Sequence, residues 1–203
     1  MQRLPCRGSL IILIMLTLTT LHSRRSTPTR QLAAPGPDAT QLQRMLEAAV
    51  RVPDHGKRVP FRLLRIAGDA REALASAAQA RQLELDPLAG EAVLEKLRTR
   101  FTAPPLTLAV VAILGEDSKI PVSERFSSAA CVAFQLLQAA QAEGFAAQWL
   151  TGWLAYDRPF LEHTLGLSEH EQLIGTIAIG TPTLEAPERE RPDVAALLQD
   201  WAP

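Results

Sequence analysis

Two short stretches of the chain gather groups that can grip an anion. Arg24-Arg25-Ser26 sets two guanidiniums and a hydroxyl side by side, and Arg51-Val52-Pro53-Asp54-His55 adds a guanidinium and an imidazole where a helical pattern gives way to loop. Guanidinium forks beside a hydroxyl suit a phosphate through several charge-assisted hydrogen bonds. A phosphate-bearing ligand is therefore the chemistry these residues suggest. The plainer alternative is that each arginine ends a helix, where a cation meets the negative end of the dipole.

Conventional catalytic groupings are weak. There is no G-x-S-x-G nucleophile elbow, Cys131 lies within a helical pattern among apolar residues and reads as an inert core thiol, and His163 and His170 lie in acidic, exposed surroundings. Glu169 and Glu171 read as a solvated loop rather than an acid/base pair. The histidines His22, His55, His163 and His170 share no i, i+4 spacing, and neither Cys6 nor Cys131 belongs to a C-x-x-C or Cys/His cluster, so no metal site is expected. If the chain is an enzyme, a bound cofactor should carry the chemistry.

The elements that must position these groups follow from composition and pattern. A chain of 203 residues, 47% hydrophobic and 21% charged, suits one soluble domain. A net charge of −1 gives no broad basic face for nucleic acid. Few cysteines fit a reducing, cytoplasmic setting. The first 30 residues hold five arginines and no acid, with an apolar run from Leu10 to Leu16. As helix that run reaches about 10 Å, and about 18 Å if extended to Leu21, against a bilayer core of about 30 Å. No small-x-small cleavage pattern follows it, because Leu21-His22-Ser23 leads into Arg24. Residues 1 to 15 are read as an extension or mis-assigned start, and 16 to 203 as the single domain, opening with a helix from Leu16 to Ser23. An exported form using the first segment is the alternative.

Beyond Pro35-Gly36-Pro37, Asp38 and Gln41 predict a capped helix with Leu42, Met45, Leu46 and Ala49 on one face, stopping at Pro53. A strand from Pro60 to Ile66 follows, then a helix capped by Asp69 and running to about Gln82, another from about Gly90 to Thr102, and a strand buried on both faces from Leu106 to Leu114. A long helix from about Ser123 to Glu143 carries Phe126, Ala129, Ala130, Ala133, Phe134, Leu137 and Ala140 on one face and ends at Gly144. Phe145 to Thr151 reads as a strand, Arg158 to Leu165 as a short helix, Leu173 to Ile179 as a last buried strand, and the proline-rich tail from Pro182 as a surface arm with one helical stretch from Val194 to Trp201. No dinucleotide G-x-G-x-x-G loop or P-loop occurs.

In order along the chain, five segments resemble the FMN-dependent nitroreductase family, especially its short bacterial members. These are Ser23-Arg24-Arg25-Ser26 with Arg30, Ala48 to His55, Val59-Pro60-Phe61, Gly144 to Gly152, and Ile174 to Pro182. The resemblance implies an α+β sandwich with a central, mainly antiparallel sheet flanked by helices. It also implies a homodimer formed through long helices, with one FMN in each of two clefts built by both subunits. Arg24, Arg25 and Ser26 would then bind the FMN phosphate and ribityl chain. Arg51 and His55 would come from the partner subunit or a facing loop, and Trp149, Leu150 and Thr151 would line the flavin.

Ala139, Ala140, Gln141, Ala142, Glu143 and Gly144 correspond to a stretch linked to nicotinamide cofactor binding. The implied activity is NAD(P)H-dependent reduction of nitroaromatics or quinones by ping-pong hydride transfer, without a catalytic side chain. A flavin-binding dimer lacking reductase activity, a carrier or sensor, is the alternative. Leu150 stands where these members commonly have arginine, and Val59 and Phe61 replace a glutamine and a tryptophan. Arg189 and Arg191 align with no phosphate-binding residue and are left outside the expected site.

Overall fold

The computed structural model describes residues 18–202; the extension at residues 1 to 15 and the start of the expected first helix lie outside them. The chain enters as the short helix α1 (Leu18–Ser23), followed by strand β1 (Leu32–Ala33) and helix α2 (Ala39–Ala49). Asp38 and Gln41 form a reciprocal capping box, with Gln41 N donating to Asp38 Oδ1 at 2.8 Å and Asp38 N to Gln41 Oε1 at 3.0 Å. Then come β2 (Phe61–Ala67), α3 (Ala70–Leu85), α4 (Glu91–Thr102) and β3 (Leu106–Ile113). The second half comprises α5 (Val122–Ala142), β4 (Ala146–Leu150), α6 (Arg158–His163), β5 (Glu171–Pro182) and α7 (Val194–Leu197).

All strand pairs are antiparallel. Strand β5 lies at the centre, with β3 and then β2 on one side, while β4 and β1 pair end to end along its other edge. Along β3 the pleat sends Leu106, Leu108, Val110 and Ala112 into a core shared with α2 and α5, and Ala109 and Val111 into a second core with α3, α4 and α6. Helices on both faces thus explain why this strand reads as an apolar run broken only by Thr107. The expected sheet flanked by helices is the fold observed.

Several expectations need correction. Cys131 is exposed, not in the core, and Phe134 is 46% exposed. The rest of the expected face of α5 does turn inward, with Ala129, Ala133, Leu137 and Ala140 buried and Phe126 and Ala130 half-buried. Asp69 stands at the start of α3 without a side-chain capping bond. Strand β5 begins two residues before the expected Leu173, and the helical stretch of the tail is confined to α7.

Glu171 is not a solvated loop residue. It accepts from Arg62 Nε at 2.5 Å and Nη2 at 2.8 Å and from the Ser168 backbone N–H at 2.9 Å. The Arg62 bonds, helped by Ser168, hold its carboxyl at about 2, below an ordinary 4.5. Asp117 is likewise held at about 2 by the backbone N–H groups of Ile120 and Lys119 and by Arg58. A depressed folded-state value contributes stability above the unfolded value and loses it as pH falls towards the folded one. Stability should therefore decline as pH falls from about 4.5 towards about 2, Glu171 accounting for on the order of 1 kcal/mol after solvent screening. Denaturant midpoints measured across that range check this, with Glu171→Gln flattening the decline; an unchanged slope in that variant would contradict the assignment.

Candidate functional site

Helix α1 is docked on the end of α5, where Gln141 Nε2 donates to Thr20 O and to Ser23 Oγ, each at 2.9 Å. The chain then runs extended beside β4, with Thr27 N donating to Ala147 O at 3.2 Å and Thr29 N to Gln148 Oε1 at 3.0 Å. These bonds place Arg24, Arg25 and Ser26 at the start of β4. Arg24 is half-buried, and its Nη1 donates to Ser26 Oγ at 3.4 Å. Arg25 Nη1 donates to His22 O at 2.8 Å, while its Nη2 pairs with Glu188 of the tail. Glu188 also accepts from Arg191 Nε at 3.0 Å.

The tail therefore folds back onto the N-terminal arginines. Burial first, and then repulsion from Arg191, Arg189 and Arg25, lower the Arg24 guanidinium below its ordinary value. Around a cleft of about 550 Å³ lined by Leu21, His22, Arg24, Arg25, Glu188 and Arg191, cations outnumber the one carboxylate. Such an excess favours an anion. Arg189 and Arg191, left out on sequence grounds, belong to this cluster. An Arg-x-Arg in a proline-rich tail was the available signal, but nothing local links it to residues so distant in the chain.

Arg51 and His55 do not join them within the subunit. Both are exposed, and His55 Nδ1 lies 2.7 Å from Glu124 Oε2 in the first turn of α5. Gln141, which holds α1, lies about 25 Å further along the same helix at roughly 1.5 Å per residue. Within the subunit that separation sets His55 well apart from the arginine cluster. Around His55, a cleft of about 310 Å³ is lined by Pro53, Ser127, Ser128 and Cys131 among others.

At the far end of β4, Trp149 Nε1 donates to Ile174 O at 3.2 Å. Ile174 is the extra residue of a bulge in β5, since Val110 pairs with Gly175 and Val111 with Leu173. Gly175 has φ 154°, and a Cβ there would lie 2.2 Å from Trp149 Nε1, so glycine is what lets the indole approach the bulge. Leu150 and Thr151 are half-buried, and Thr151 O accepts from Arg100 Nη2 at 2.7 Å.

The stretch Ala139 to Gly144 closes α5. Ala139 and Ala140 are buried in the core, so neither side chain can touch a ligand. Gln141 holds α1, and Glu143 accepts from Arg44 Nε and Nη2, each at 2.7 Å. Ala142 is half-buried, and Gly144 follows the helix with φ 84°. Among the described residues no three His, Cys, Asp or Glu side chains gather as a metal site.

The sequence profile of the nitroreductase family matches residues 21–181. A protein of Haemophilus influenzae assigned as an NAD(P)H nitroreductase is 35% identical over 175 residues, covering 85% of this chain and 91% of its own. Among solved structures, a nitroreductase-like family protein from Bacillus cereus superposes with a TM-score of 0.75 at 21% identity, covering 90% of this chain and 94% of that one. A protein from Desulfovibrio desulfuricans, assigned as a nitroreductase and solved in complex with FMN, gives a TM-score of 0.69 at 22% identity, covering 91% and 96%. With a profile match over most of its length, a relative more than 30% identical across most of both chains and the fold to go with them, the chain belongs to the nitroreductase family.

Proposed function

We propose that the protein is an FMN-dependent oxidoreductase that takes electrons from NAD(P)H and passes them to nitroaromatic or quinone-like acceptors. The observation that carries this reading is the arginine cluster at the start of β4, where Arg24 is repelled by Arg25, Arg189 and Arg191 and the excess charge calls for a phosphate. From Ala147 to Thr151 the strand advances about 13 Å at roughly 3.3 Å per residue. That reach suits a ligand with its phosphate among the arginines and a flat ring against Trp149, Leu150 and Thr151.

The residues present fit the cofactor. Arg24, Arg25 and Ser26, with Arg189 and Arg191, would hold the phosphate, and the end of β4 with Trp149, Leu150 and Thr151 would line the ring. When bound, FMN would supply the hydride chemistry between NAD(P)H and the acceptor, in ping-pong fashion. The protein's part is to bind, orient and shield, since Trp149, Leu150 and Thr151 carry no group that exchanges a proton near neutral pH. Completing the site requires a homodimer in which Arg51 and His55 of the partner subunit reach the ligand. The exposed side of α5, with Phe134 and Cys131, is the surface proposed for that contact. No helix among the described residues is long and apolar enough to cross a membrane, and cytoplasmic placement is part of the proposal.

The test is the visible spectrum of protein mixed with FMN and freed of excess, then titrated anaerobically with NADPH and with NADH. Protein-bound flavin bands that bleach with a donor and return with a quinone or nitroaromatic are expected. Protein that takes up no FMN would overturn the reading, and bound flavin that neither donor bleaches would replace it with a flavin-binding dimer without reductase activity.

A further inference from the structure

The last turn of α4 carries a half-buried guanidinium that the site described so far does not use. Arg100 Nη2 donates to Thr151 O at 2.7 Å and to Thr176 Oγ1 at 3.4 Å, and Arg100 Cζ lies 5.4 Å from the Phe101 ring centroid. Its Nε is buried without a hydrogen-bond partner. Arg58, Arg62 and Arg81 each pair with a carboxylate, whereas among the described residues none pairs with Arg100. Burial lowers its ordinary value to about 10, so it stays charged at neutral pH. Partial burial of a charge without a counter-charge is costly, which points to a use beyond the packing of α4.

The geometry identifies that use. In a trans peptide the N–H points opposite to the C=O. With the Thr151 carbonyl turned to Arg100, the N–H of Gly152 points away from it. Gly152 has φ 79° and ψ −173°, a conformation that favours glycine and turns the chain sharply after β4. The guanidinium polarises this peptide and makes its N–H a stronger donor. A Cβ on Gly152 would lie 3.4 Å from Arg100 Nη1, so cation and peptide are in contact.

We propose that Arg100 is a positioning residue that fixes the Thr151–Gly152 peptide and raises the reduction potential of a flavin bound against it. This rests on the flavin reading above. Reduction by hydride brings two electrons and one proton to the ring and leaves it one unit more negative, so a fixed cation behind the peptide favours the reduced form.

The experiment compares wild type, Arg100→Lys, Arg100→Gln and Arg100→Met by the midpoint potential of bound FMN, measured against a reference dye, with thermal melting as the folding control. Arg100→Gln keeps a donor and loses the charge. It should reduce the preference for reduced over oxidised FMN about tenfold, which for a two-electron couple is about 30 mV more negative. Arg100→Lys should keep most of the wild-type potential. A purely structural role predicts altered melting with one potential throughout, and that result overturns the inference. Should Arg100→Met fail to fold, the Gln and Lys variants decide the matter alone. Wild-type protein that binds no FMN overturns the parent reading and this inference with it; bound FMN whose potential ignores the charge at position 100 overturns this inference only.

Discussion

Arg24→Glu should abolish FMN binding, raising Kd by at least about 100-fold, while leaving the free protein as stable as before or more so. Arg24 is the member of the cluster that burial and three neighbouring guanidiniums together disfavour, and its one side-chain bond, to Ser26, is long at 3.4 Å. Among the described residues no carboxylate pairs with it. A phosphate would, through charge-assisted bonds worth roughly 1.5–3 kcal/mol each. Reversing the charge removes such a bond and sets a carboxylate against the ligand, and about 2.8 kcal/mol already corresponds to 100-fold. In the free protein the same change replaces repulsion among Arg24, Arg25, Arg189 and Arg191 with attraction. Site residues often trade stability for function in this way. Quenching of FMN fluorescence and the melting temperature of the ligand-free variant measure the two halves. A Kd within threefold of wild type would remove Arg24 from the phosphate site, and a large loss of stability would recast it as a structural residue.

What the sequence disclosed about this site followed from locality. Arg24, Arg25 and Ser26 are adjacent and could be read together, as could the capping box at Asp38 and the doubly buried strand β3. Arg189 and Arg191 could not, because only the tail's return to α1, held by Glu188 on Arg25, brings them to Arg24. Arg100 was invisible for the same reason: its partners Thr151 and Thr176 lie 51 and 76 residues further along the chain. The bulge that seats Trp149 depends on a register shift between β3 and β5, which no pattern within either strand encodes. Two residues of β1 are too few to show a period. Cys131 and Phe134 misled because apolar residue types also stand on the side of α5 that β3, β4 and β5 leave uncovered.

Mixing Arg24→Glu subunits with Arg51→Glu subunits should restore FMN binding that neither variant shows alone. The reasoning starts from α5. His55 is tied to Glu124 at one end of that helix, and α1 with Arg24 is tied to Gln141 at the other, about 25 Å away. Within a subunit one ligand would have to span that whole distance to touch both ends. In the two-fold dimer proposed above, however, each cleft would take Arg24 from one chain and Arg51 from the other. Each homodimer of variants then carries the same lesion in both clefts. In a mixed dimer both lesions fall in one cleft and the other is intact. Random reassociation of equal amounts makes about half the dimers mixed, so about one quarter of all clefts should bind FMN with wild-type affinity. Counting bound flavin per chain after co-refolding reads this directly. Complete absence of recovery, with dimers present by sedimentation, would return the site to a single chain. Arg51→Glu homodimers that bind FMN normally would remove Arg51 from the site. Recovery near one quarter is the outcome that only a cleft shared between subunits produces, because one cleft escapes both substitutions only if its two arginines belong to different chains.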